Sequence, residues 1–169
     1  MTGSTLAAVI CRELRTLERE LNAYQTEEQV WLLPAGLPNC GGTLVLHAAG
    51  NLQYFVGAVL GGSSYVRDRD AEFQRRGVPR AGLIGELHRA ERAVQETLGR
   101  LDQARFGEPY PVPVADRRLN TAEFLTHLAV HLAYHAGQID FHRRIVTRDV
   151  TGVGAVSPAE LPSARPIEG

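Results

Sequence analysis

Leu6, Val9, Ile10, Leu14, Leu17 and Leu21 recur at three- and four-residue steps. That period predicts an amphipathic helix from about Ser4 to Tyr24, with Arg and Glu on its wet face. A long apolar segment from about Gly42 to Leu60 predicts a second helix, stopped by Gly61 and Gly62. Gly50 and Gly57 inside it each cost about 1 kcal/mol relative to alanine, which predicts that another backbone comes close there. Leu83, Ile84, Leu87, Ala90, Val94, Leu98 and Leu101 mark the buried side of a third helix over about Arg80 to Leu101. Asn120 as N-cap, with Glu123 at the third position, starts a fourth that runs to about Thr147.

Between these elements the pattern lapses. Trp31, Pro34, Pro38 and the glycines of 26–42 describe a crossing loop, with Val30 to Leu33 folding back onto the helices. The charge run through Arg67-Asp68-Arg69-Asp70 and Arg75-Arg76 reads as a solvated connection or short surface helix. Pro109, Pro111 and Pro113 forbid helix and make 109–114 extended. From Asp149 onward Pro158, Pro162 and Pro166, among glycines and serines, give an irregular tail. The expected fold is all-α, a four-helix bundle with long crossing loops, residues 1–148 forming the bundle and 149–169 the tail.

Composition narrows the partners. A net charge of -1 over 169 residues provides no field for nucleic acid or an anionic membrane. The apolar run from Leu6 to Cys11 is too short and poorly flanked for a secretion signal, and the second helix carries His47, Asn51 and Gln53. The expectation is a cytoplasmic protein that meets a small molecule, with no nucleic acid and no membrane as partner. Cys11 and Cys40 are too few for a disulfide framework and lack ligand spacing to any histidine. Cys11 falls on the apolar side of the first helix, and Cys40 sits at a turn before the second.

The chemistry lies in a histidine ladder. His127, His131 and His135 are four residues apart. On a helix of ~3.6 residues per turn each step overshoots a full turn by ~40°, so neighbouring rungs share a face and two imidazoles can bind one ion. A third ligand must come from His47, His88 or His142, of which His47 stands out inside Leu44 to Leu60. Three imidazoles in a row on an apolar helix are costly to bury unless their nitrogens find partners.

Leu46-His47-Ala48-Ala49-Gly50 on the second helix, and His131-Leu132-Ala133-Tyr134-His135-Ala136-Gly137-Gln138-Ile139 on the fourth, resemble elements of the DinB/YfiT superfamily of metal-binding four-helix bundles. The second matches its H-x-x-x-H-x-G-Q signature, and the order and spacing of the helices fit from about Ser4 to Thr147. The resemblance implies that His47, His131 and His135 are metal ligands for zinc or nickel, with waters completing the shell. His127 is not at a ligand position, and lies one rung away, ~80° round the helix from His135, as a pocket-wall or supporting group. Gln138 matches the glutamine of the signature. Asn51 and Tyr54, four and seven residues after His47, are expected on the same face as pocket groups.

Three neutral imidazoles leave a divalent ion its full charge and an open position, which lowers the pKa of a bound water or thiol. The resemblance implies chemistry with low-molecular-weight thiols, mycothiol and bacillithiol among them, so thiol S-transfer is the leading expectation. Hydrolysis of a small amide or ester is the runner-up. It needs a general base, and Asp140 is ~140° from His135, leaving Glu28, Asp68, Asp70 or Asp116 to arrive from loops. A non-catalytic metal-binding stress-response or interaction module is the third reading. The resemblance also implies a homodimer, in which Val153 to Leu161 is expected against a partner chain.

Overall fold

The computed structural model describes residues 2–167, and it is an all-α bundle. Its long helices are α1 (Gly3–Ala23), α2 (Gly41–Leu52, running on as π-helical turns over Gln53–Leu60), α4 (Arg80–Arg100) and α5 (Thr121–Thr147). A short α3 (Arg69–Gln74) rides on α2. Round the bundle the order is α1, α4, α2, α5, with α1 and α2 on opposite corners. The paired residues set the directions: Glu20 meets Arg143 and Tyr24 meets His142, so α1 and α5 run parallel, whereas α2 runs against α5, Gly41 lying by His142 and Phe55 by Phe124.

The predicted ladders form the core. Leu6, Ile10, Leu14, Leu17 and Leu21 of α1 meet Leu83, Leu87, Val94 and Leu98 of α4, all at most 3 % exposed. Thr2 caps α1 by accepting from the amide of Thr5, and Asn120 caps α5 by accepting from Ala122 and Glu123. At α2's end Gly62 turns the chain with φ +70°. By length and hydropathy Gly41–Leu60 meets the measure of a membrane-crossing helix, yet 72 % of that window is buried inside the bundle. It is the core helix, and three of its sides are covered by α3, α4 and α5.

Several expectations need correction. In the crossing loop Val30 is fully buried and the Trp31 indole N–H donates to the Val78 carbonyl, whereas Leu32 and Leu33 stay 48 % and 56 % exposed. Gly50 and Gly57 accommodate side chains rather than a backbone: a Cβ at Gly50 would strike the Glu72 carboxylate, and one at Gly57 would crowd Ala93 Cβ at 3.0 Å. The charge run is only partly solvated, because Glu72 is 6 % exposed. Cys11 is buried, its thiol pushed up to about 11 by burial first and Glu91 second, so it packs as a small hydrophobe. Cys40 is buried beside Thr43.

The tail lies along its own bundle. Arg19 donates to the carbonyls of Val153 and Gly154 and pairs with Glu160. Arg143, fully buried, pairs with Glu20 and Asp140 and donates to the carbonyls of Asp149 and Thr151. These contacts draw Val153 and Glu160 onto α1 of the same chain. Removing one member of such a pair strands a charge in the core. Arg143→Met should therefore destabilise the protein by about 3–5 kcal/mol in urea unfolding, and the double variant Glu20→Met/Arg143→Met should recover most of that loss.

His142 is a second buried anchor. Its Nδ1 accepts from the Tyr24 hydroxyl at 2.7 Å and its Nε2–H donates to the Leu32 carbonyl at 2.9 Å. Burial holds its pKa below the ordinary value, outweighing the bond to Leu32. The unfolded chain therefore takes up this proton at a higher pH than the folded one, and stability present above ~6.5 is lost as the pH falls below it. In metal-free protein, unfolding free energy measured between pH 7.5 and 5 should fall less steeply in His142→Gln than in wild type, by up to ~1.4 kcal/mol per pH unit.

Candidate metal centre

His47 lies on α2, with His131 and His135 one turn apart on the facing stretch of α5. Their nearest nitrogens all fall within 4.8 Å of one another. The ring of His47 stands edge-on to both others, with centroids at 5.3 Å from His131 and 5.1 Å from His135. His131 Nε2 and His135 Nε2 are 3.1 Å apart. Two nitrogens bound to one ion at ~2.0–2.1 Å sit about 2.9–3.4 Å apart across octahedral to tetrahedral angles, so this spacing suits a shared ion.

The second nitrogens are tied back. His47 Nδ1–H donates to Glu72 Oε2 at 2.9 Å, and His135 Nδ1–H donates to Gln138 Oε1 at 2.7 Å. Each bond fixes the tautomer that leaves Nε2 with a free lone pair directed at the centre. Arg67 in turn grips Glu72 through both oxygens, Nε to Oε1 at 2.7 Å and Nη2 to Oε2 at 2.8 Å. Arg67 Nη2 also lies 3.3 Å from His47 Nδ1, but the shorter carboxylate contact decides which atom holds the proton. Burial raises the Glu72 pKa, and the hydrogen bonds and charges of Arg67 and His47 outweigh it, so Glu72 stays ionised.

Burial is also the main cause that brings His131 down to about 4, helped by His135, His47, His127 and Arg67. His135 is lowered by burial, against the opposing bond to Gln138. At neutral pH both imidazoles are uncharged, the form that binds a divalent ion. A site of this kind offers three imidazole nitrogen donors and no thiolate, which suits a borderline divalent metal.

The surrounding groups divide into those the sequence pattern brings forward and those it does not. His127 is exposed, its ring stacked between Phe124 at 6.0 Å and His131 at 5.9 Å, so it continues the ladder outward along α5. Asn51 is buried one turn after His47 on α2. The Tyr54 ring rests on Phe55 at 4.9 Å. Phe55, not Tyr54, reaches the supporting pair, its ring lying 5.5 Å beneath the Arg67 guanidinium. The reason is the π-helical stretch from Gln53, whose wider i→i+5 turns shift the face predicted from an α-helical period.

Glu72, Arg67 and Phe73, whose ring is 4.8 Å from that of His47, all come from the charged connection. Of the loop carboxylates considered for this place, Asp68 caps α3 by accepting from Ala71, and Glu28, Asp70 and Asp116 are exposed. Gly50 holds the one signal for Glu72, since it is the missing side chain three residues beyond His47 that makes room for the carboxylate.

Residues 5–148 match the family model described as mycothiol-S-transferase (MST), a DinB/YfiT-like family. Comparisons with curated proteins and with solved structures find no match. The matched span takes in the three imidazoles, Arg67, Glu72 and Gln138. Metal content measured on one preparation should drop far more in His47→Ala than in His88→Ala, whose wild-type ring is exposed and paired with Glu18. Glu72→Gln, which leaves the three candidate ligands in place, should weaken metal affinity by about 10–100-fold.

Proposed function

We propose, for a chain that belongs to the mycothiol-S-transferase family, that it transfers a low-molecular-weight thiol to an electrophile at a zinc or nickel ion held by His47, His131 and His135. The observation that carries this reading is the convergence of the His47, His131 and His135 nitrogens within 4.8 Å, with the second nitrogens of His47 and His135 bonded away from the centre. A divalent ion there supplies a Lewis acid that lowers the pKa of a coordinated thiol and makes it a nucleophile at neutral pH.

The protein's own groups do the rest. Glu72 and Arg67 hold His47 in one orientation, and Gln138 does the same for His135. Phe73 covers one side of the His47 ring and limits water there. His127, exposed at the end of the ladder, is a pocket wall facing an incoming molecule. Glu72 is committed through both oxygens to Arg67 and His47, which disfavours it as the general base that hydrolysis needs.

Two measurements test the proposal. In cobalt-substituted protein, addition of mycothiol should shift the visible spectrum, as expected for a thiolate entering an open coordination position. Metal-loaded protein should then accelerate conjugation of mycothiol to electrophiles, and His131→Ala should remove the acceleration. A spectrum indifferent to thiol, with no conjugation above the uncatalysed rate, would overturn the transferase reading and leave a structural metal.

A further inference from the structure

One face of α5 is left uncovered. The helix packs on α1 and α2 through its buried residues, and the tail lies on α1 rather than on α5's outer side. There Val130, Tyr134, Phe141 and Ile145 are each more than half exposed. At ~100° per residue their positions fall within about 60° of one another round the helix, so they make a single stripe about four turns long. With about 150–250 Å2 to a large side chain, the four leave about 500 Å2 of apolar surface in water, at the upper end of what a monomer keeps in one patch. Beside the stripe runs a groove of 570 Å3 against Leu37, Pro38 and Leu44, and no Asp, Glu, Arg or Lys lines it.

The stripe ends in opposite charges. Glu123 continues the same line at the amino-terminal end of α5, and Arg148, the C-cap, stands at the other. Both are exposed, and neither side chain forms an ion pair among the described residues. Midway between Tyr134 and Phe141, Gly137 is open, a Cβ there meeting nothing within 4 Å. A line that is acidic at one end, apolar in the middle and basic at the other complements its own reverse. Two α5 helices laid antiparallel about a two-fold axis near Gly137 bring Tyr134 to Phe141 of the second copy and Val130 to Ile145, with Glu123 about one turn from Arg148 at each end. A parallel pair sets like charge against like. The missing side chain at Gly137 lets the two backbones approach to the lower end of the ~8–10 Å range for packed helices.

We propose that this face of α5 seats a second copy of the chain, in an antiparallel two-fold dimer with Gly137 at its axis. The stripe supplies about 500 Å2 of the ~800 Å2 that each partner buries in an interface of standard size, and the groove wall and the charged ends supply the rest. Asn39, Gln138 and the Tyr134 hydroxyl are the neutral polar groups of a rim that is ordinarily polar and wet. None of the three imidazoles lines the groove, so the pairing does not depend on the metal or on its chemistry.

The test uses the full-length protein. Sedimentation equilibrium should show a dimer at micromolar concentration, and Phe141→Glu and Tyr134→Arg, both at exposed positions where folding is preserved, should each raise its dissociation constant at least about 30-fold. Glu123→Lys and Arg148→Glu should each raise it at least about 10-fold, and the double variant should return to within about 3-fold of wild type. Oxidised with diamide, Gly137→Cys should join two chains through a disulfide, while Val130→Cys, about 20 Å from its own copy in the antiparallel pair, should not. Cys11 and Cys40 are buried and do not compete. A monomeric wild type overturns the proposal, as does a dimer that both Phe141→Glu and Tyr134→Arg leave intact. Cross-linking of Val130→Cys as efficient as that of Gly137→Cys overturns it too. A monomer that floats with phosphatidylcholine–phosphatidylglycerol vesicles, and no longer does so as Phe141→Glu, gives the face to a lipid surface and likewise overturns it.

Discussion

A buried imidazole has two nitrogens, and only one of them can face a metal. The other must find a partner inside the protein, or burial of the ring costs more than the packing returns. For His47 that partner is Glu72, which is itself a buried charge and needs Arg67. Glu72 reaches the ring only because α3 lies flat on α2, and α3 lies flat there only because Gly50 offers no side chain. A single requirement at one nitrogen thus accounts for a short helix, an arginine, a glycine and the local closeness of two segments. The same requirement at His135 is met more cheaply, by a glutamine one turn further along α5.

The two solutions make the centre asymmetric. Towards α3 the imidazoles face a guanidinium, a carboxylate and aromatic rings, among them Phe55, Phe73 and Phe124. On the neighbouring face of α5, beyond the Gln138 amide, lies an uncharged groove lined by Leu44, Tyr134, Phe141 and Ile145 and by none of the three imidazoles. Tyr134 and Phe141, 64 % and 69 % exposed, form the outer edge of that groove.

At the carboxyl-terminal end of α5 burial is managed with charge. Arg143 threads between Glu20 and the first residues of the tail, so that its guanidinium is satisfied by two carboxylates and two carbonyls. The pair contributes little net stability against an apolar replacement, but it fixes where α5 ends and where the tail departs. With His142 tied to Tyr24 and Leu32 nearby, α5 is anchored on α1 and on the crossing loop, and the imidazoles about two and three turns upstream are held in register with α2.

The sequence by itself determined the four long helices, because leucine and valine at helical spacing can be buried in only one way, and their limits at Asn120 and Gly61 follow from local capping chemistry. It also brought His47, His131 and His135 forward as a set, by a four-residue period on one helix and by likeness to a family motif around the other. What it did not contain was the partner of His47. Arg67 and Glu72 sit in a charge run that has the composition of a solvated connection, and charge in a sequence carries no mark of which carboxylate will be buried. Likewise an α-helical count from His47 arrives at Tyr54, while the π-helical turns bring Phe55 to Arg67. Leu32 and Leu33, alike in sequence to buried Val30, remain outside because the crossing loop turns on Trp31. Each of these depends on contacts between segments far apart in the chain, and a period or a cap reports only on neighbours within a turn or two.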